Sequence, residues 1–312
     1  MRTDRTTERT GRGLRATRLG VLAVALPVAG WSLSNTIVKI VHIEPVAFAF
    51  WRLWLATGVM VIILLATRRR VTWAILRASA PGGVLFAFNL IFFFSALRHT
   101  GVADVLVIGA LQPALTVFAA GRMFGERVTR GEVLGILASV AGVLVFVLGS
   151  RSTPTWSVTG DLLAVASLLV FTAYFFVSKR ARRRANSIEY MATVTVVAAL
   201  VITPVALLSG QPLARVRAQD WMWLLLFVAA AQGGHLLLAW AHNQVDITVA
   251  SLLILGETPL SAVAALVVLG EPLTAVMVAS GVATIACLGV VVYRATRSGR
   301  IADEEAAESG PA

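Results

Sequence analysis

The chain has 312 residues, 58% of them hydrophobic and only 14% charged, with mean hydropathy +0.82 and a formal net charge of +11. A soluble domain of this size has too little interior to hide that much apolar side chain, so a water-soluble globule is excluded. The one cysteine, Cys287, excludes an intramolecular disulfide, and no Cys/His spacing suits a metal.

Apolar runs of about 20 residues cross a hydrocarbon core about 30 Å thick. Ten such runs follow one another: 19–40, 45–67, 80–97, 102–123, 131–149, 160–179, 188–209, 221–241, 246–269 and 272–293. The chain therefore reads as an all-α polytopic membrane protein. Residues 1–18 and 294–312 are polar tails, expected to be disordered. The arginine-rich start imitates a secretory signal, but the first run has a counterpart later in the chain and reads as a retained helix. Pro45, Pro81 and Pro272 are placed just inside the starts of their helices, where a missing N–H does no harm. Arg52 lies seven residues into the second run, about 10 Å deep, as a ligand contact or a tether that snorkels to the face. Asp104 and Asp246 open the fourth and ninth runs, where the helix dipole favours a carboxylate.

Twenty-one of the 27 Lys and Arg fall in the two tails and in 68–77, 122–130 and 179–184, and five fall in the alternate connections. By the positive-inside rule both termini face the cytoplasm of a cell (inner) membrane. The basic residues then mark topology, and no nucleic-acid partner is expected.

Sliding the chain by 145 residues superposes its halves. IEPVA (43–47) falls on IEYMA (188–192), FGERVT (124–129) on LGEPLT (269–274), and Gln112 on Glu257. The first helix matches with a shift of 140, which sets Trp31 over Phe171 and Lys39 over Lys179. Five spans per half is an odd number, so the halves, 19–149 and 160–293, are inverted five-helix repeats. That is an architecture of alternating-access transporters, with the site between the halves near the midplane.

The segments GWSLSNTIVK (30–39), FWRLWLA (50–56), FFFSALRHTGVADVLVIGALQPALTVFAAGRMFGERVT (92–129), GILASVAGVLV (135–145) and LGEPLT (269–274) resemble the drug/metabolite transporter superfamily, EamA type. That resemblance implies a ten-helix 5+5 fold with both ends cytoplasmic, moving small organic solutes, usually outward. The family commonly places proline directly after the acidic residue of the ninth helix, whereas Thr258 here separates Glu257 from Pro259.

Counting depth along each helix, Asn89, Gln112, Gln232, His235 and Glu257 reach one layer near the bilayer centre. Thr248, Ser251 and Thr258 line a stripe of the ninth helix, with Ser261 beside it, and Trp31 is an aromatic able to stack on a ring or an ammonium. A carboxylate at that depth costs on the order of 2.5–3.5 kcal/mol in lipid and is a functional-site hypothesis by default. Its alternative is a structural carboxylate satisfied by hydroxyls and amides. The expected site is thus Glu257, Gln112, Asn89, Gln232, His235, Trp31, Arg52, Thr258 and Ser251, with no catalytic residue, cofactor or metal.

HExxH, CxxC, GxSxG and Walker sequences are all missing, and the loops are too short for a nucleotide-binding domain, so no enzyme is expected. The function that follows is secondary-active export of an amino acid, nucleobase or drug-like metabolite, down its gradient or against protons. Uptake or exchange of a metabolite or vitamin is the alternative within the transporter class, and a membrane enzyme or receptor is the remote one. The partners are the bilayer, the small solute and protons, with a homodimer allowed by the small-xxx-small spacings Gly121/Gly125 and Gly131/Gly135.

Overall fold

The computed structural model describes residues 22, 25–112, 114–115, 130–181, 185–241 and 256–308. Its helices are α1 (25–40), α2 (Pro45–Ala66), α3 (Trp73–His99), α4 (Val102–Gly109), α5 (Arg130–Ser150), α6 (Val158–Ala181), α7 (Ser187–Leu208), α8 (Ala218–Ala241), α9 (Glu257–Leu269) and α10 (Ala275–Glu308). No strand occurs among the described residues. Each helix occupies one of the ten apolar runs. Helices α2, α3, α6 and α7 and the stretch 133–150 of α5 are long and apolar enough to cross a membrane, while α9 and 275–290 of α10 are shorter apolar helices.

Local chemistry sets the helix ends. Pro45 opens α2, as expected. Asn186 and Glu189 form a reciprocal capping box at α7, satisfying two donors that the first turn leaves open. Gly270 stops α9 in the left-handed conformation (φ 68°), which a residue with a Cβ adopts only at a cost.

Three boundaries differ from the sequence reading. Helix α3 starts at Trp73 instead of residue 80, because Thr72 Oγ1 accepts from Ile75 N (3.3 Å) and caps it there. Pro81 is therefore inside the helix, where it leaves one carbonyl of the preceding turn without its N–H partner. Helix α10 starts at Ala275, capped by Thr274 Oγ1 accepting from Met277 N (3.2 Å), so Pro272 belongs to the connection before it. The tail expected to be disordered from 294 continues as helix to Glu308, since RIADEEAAE is rich in strong helix formers. Residues 1–18 lie outside the described residues.

Packing relates the halves. Helix α3 packs on α6 and α7, α2 on α7 and α8, α4 on α6 and α9, and α5 on α10. Exchanging α1–α5 with α6–α10 sends the pairs α2–α7, α4–α9 and α5–α10 onto themselves and sends α3–α7 onto α2–α8. The image of α3–α6 is α1–α8, where a Cβ added to Gly30 would lie 3.7 Å from that of Ala230 and Gly234 lies under Trp31. These matching pairs are consistent with an inverted repeat. Glycines permit the closest approach. A Cβ on Gly83 would sit 2.6 Å from that of Val197 across the α3–α7 seam. Large side chains fill the interior between α2, α3, α7 and α8, among them Phe48, Leu53, Phe94, Leu97, Ile202 and Leu224. Ile62, Leu65, Leu134, Leu207 and Val267 are exposed, as a lipid-facing surface demands.

Candidate substrate site

Glu257 stands in the first turn of α9, immediately after Gly256, whose backbone (φ −64°, ψ −15°) forms a turn before the helix. The 145-residue register puts Gly256 over Leu111, where the fourth run is interrupted: α4 ends at Gly109 and residues 110–111 form a turn. The described turns therefore fall at matching positions, just ahead of Gln112 and Glu257. Interrupted helices that expose unpaired backbone groups at mid-membrane are where secondary transporters hold their ligands.

The carboxylate is met by α1. Asn35 Nδ2 donates to Glu257 Oε1 (3.0 Å) and lies 3.3 Å from Ser261 Oγ, and Ser32 Oγ reaches the Glu257 carbonyl (3.3 Å) while donating to Val28 O (2.7 Å). Asn35, Ser32, Thr258 and Ser261 are all buried, and Glu257 is half-buried among them. One turn further along α1, Trp31 presses its indole on α8, where a Cβ on Gly234 would come within 2.6 Å of Nε1. Gln232 is buried nearby on the same helix.

Arg52 occupies a different part of the same level. His42 N donates to Asp220 Oδ1 (3.4 Å), which fixes the end of α1 against the start of α8. Asn35 lies seven residues below that plane on α1, Phe227 seven below it on α8, and Arg52 eight below Glu44 on α2, depths of about 10–12 Å. The guanidinium carbon sits 5.3 Å from the ring centre of Phe86, 5.8 Å from Phe94 and 5.6 Å from Phe227, and the residue is only 5% exposed. Snorkelling to a membrane face is thus not what Arg52 does; it is enclosed by protein.

The remaining sequence candidates are placed as follows. Asn89 Nδ2 donates to Ser167 O (3.1 Å) and Oγ (2.9 Å), a tie between α3 and α6. Gln112 is half-buried beyond the break that follows α4. His235 is on α8, its side chain outside the described residues, as are Ser251 and Thr248 altogether.

Two groups escaped sequence reasoning. Ser32, Asn35, Thr36 and Lys39 repeat at helical spacing on an otherwise apolar α1, a polar stripe that spacing alone could have exposed. The second is an ionic latch at the Lys39 end of the bundle. Lys39 Nζ pairs with Glu271 Oε1 and donates to Thr100 O (2.7 Å), while Glu271 Oε2 accepts from Val102 N (2.9 Å). One buried carboxylate so ties α1, the start of α4 and the α9–α10 connection. Around it, Asp161 accepts from Thr100 Oγ1 (3.1 Å) and Trp156 Nε1 (2.8 Å), and Arg98 Nη2 donates to Val41 O (2.6 Å).

Comparison with known proteins adds to this geometry. The model of the EamA-like transporter family matches residues 18–148 and 158–293. An uncharacterized transporter of Bacillus subtilis, YyaM, is 27% identical over 58% of this chain and 62% of its own. The pseudopaline exporter CntI of Pseudomonas aeruginosa is 27% identical over 57% of this chain and 64% of its own. The aromatic amino acid exporter YddG of Ancylobacter novellus is 33% identical over 32% of this chain and 36% of its own. The matched region thus covers less than two thirds of each of these relatives. One solved crystal structure superposes with a TM-score of 0.63 over 91% of this chain and 98% of that one, at 20% identity, a likeness of fold.

Proposed function

Since the chain belongs to the EamA-like transporter family, matched by the family model over both of its halves, we propose that it exports a small organic solute from the cell by alternating access, with Glu257 as the coupling or substrate-binding group. An amino acid, a nucleobase or a drug-like metabolite is the cargo class. The supporting observation is the Asn35–Glu257 contact, which joins the two halves at the turn that opens α9. A carboxylate held at that junction feels any movement of α1 against α9, so binding of a cation or a proton there biases the equilibrium between the two arrangements.

The charge distribution supports a cytoplasmic location for both termini, which puts the Lys39–Glu271 latch on the outer face. In this arrangement the molecule is closed outward. Opening requires the latch to part while the site stays at the junction of the halves, a rocking of one five-helix bundle on the other. The cargo then crosses without chemical change, and no residue is asked to act on it as a catalyst.

A resistance screen tests this reading. Cells producing the protein are exposed to toxic amino-acid, nucleobase and cationic-drug analogues, beside cells producing Glu257→Ala at the same membrane level. The intact protein should raise tolerance to one class, and the variant should not. Equal tolerance from the variant, or none from either, would remove the assignment.

A further inference from the structure

Arg52 has hydrogen-bond donors that meet no acceptor among the described residues. Its Nε and Nη1 are buried and make no hydrogen bond among the described residues. The ion pairs among those residues are Lys39–Glu271 and His42–Asp220, and neither includes it. What surrounds the guanidinium is ring faces. Phe86 and Phe94 from α3 and Phe227 from α8 close on it, and Phe48, one turn before it on α2, braces the last two edge-on at 4.9 and 5.0 Å. Ring faces attract a cation but accept no hydrogen bonds from its edge. A buried cation with idle donors is costly, so either burial is tolerated for packing or the donors await an acceptor that arrives from outside.

Placement favours the second. Arg52 is not at the lipid boundary, where a charge could drift toward water. It lies at the depth of the Asn35–Glu257 contact, and Phe227 and Gly234, seven residues apart on α8, share the face that runs from the cage to Trp31. A solute at the junction of the halves would meet this face.

We propose that Arg52 and its phenylalanine cage receive an acidic group of the transported solute, a carboxylate docked on the guanidinium edge with an apolar body against the rings. This inference rests on the export reading above and narrows its cargo to carboxylate-bearing solutes. The planar fork of arginine matches the two oxygens of a carboxylate, and an ammonium or an uncharged amide cannot make that paired contact.

The test uses the full chain purified in detergent, with thermal unfolding followed by its tryptophan fluorescence. Hydrocinnamate, its uncharged amide, phenethylamine and inorganic phosphate are titrated separately. Hydrocinnamate should stabilise the protein at concentrations about ten-fold lower than the amide. Arg52→Gln should erase that difference, and Arg52→Lys should keep part of it. Phe94→Leu retains the charge and removes one ring, so it should weaken hydrocinnamate about three-fold even if Arg52→Gln does not fold. Equal response to acid and amide, a discrimination that survives in Arg52→Gln, or a response to phosphate alone overturns the proposal. The two readings fail separately. If phenethylamine or the amide binds and exchanges across vesicles in a Glu257-dependent way while hydrocinnamate does not, the carboxylate class falls and export stands. If the resistance screen shows no Glu257-dependent tolerance, export falls whatever hydrocinnamate does.

Discussion

Asn35 is the residue on which the junction turns. Its amide is the donor that the structure gives to Glu257 Oε1, and Asn35 itself is buried. Asn35→Leu keeps the volume roughly and removes the donor, leaving a buried acceptor unmet at a cost of about 1–3 kcal/mol. Thermal unfolding should show that loss, and tolerance in the resistance screen should vanish. Ser261→Ala removes only the longer 3.3 Å contact and should cost less, about 0.5–1 kcal/mol. If the order were reversed, Asn35 would be anchored by Ser261 and not by the carboxylate. Glu257 was legible in the sequence because a carboxylate in an apolar run stands out. Asn35 was not, because its segment is one of several with scattered hydroxyls and amides, and only the fold shows which neighbour it meets.

Among the elements, the latch carries the clearest consequence. Replacing Lys39 by Glu sets two carboxylates against each other in a buried place, and breaking a buried pair costs about 3–5 kcal/mol. Exchanging the charges, Lys39→Glu with Glu271→Lys, should recover stability only in part. The new lysine could pair with the new glutamate but could not accept from Val102 N, so the start of α4 would lose its cap. Full recovery in thermal unfolding would show that the cap contributes nothing. The helix list itself was readable from apolar run length, and the ends were less so. Thr72 captures α3 seven residues early, and Thr274 delays α10, because capping hydroxyls decide ends that hydropathy cannot see. Asn89 illustrates the same limit: its depth was countable, but its commitment to Ser167 on α6 depends on which helix lies alongside.

For the molecule as a whole, the inverted repeat makes a topological prediction. Alkaline phosphatase fused after 151–157 or 210–217 should be active, and fusions within 68–72 or at either terminus should be silent, giving both ends one side. Termini on opposite faces would end the inverted arrangement. The repeat was legible because its motifs survive at a fixed spacing; the departures from it are legible only in three dimensions. Its charges recur in both halves, Lys179 over Lys39 and Glu126 over Glu271. Asn35 itself has no amide counterpart: the 140-residue shift that governs the first helix puts Phe175 where it stands. Under the rocking proposed above, two poses related by swapping the halves would be unequal in energy. The pendulum would hang to one side, with the latch fastened, and a cargo or ion would have to hold the other pose more tightly before the far door could open.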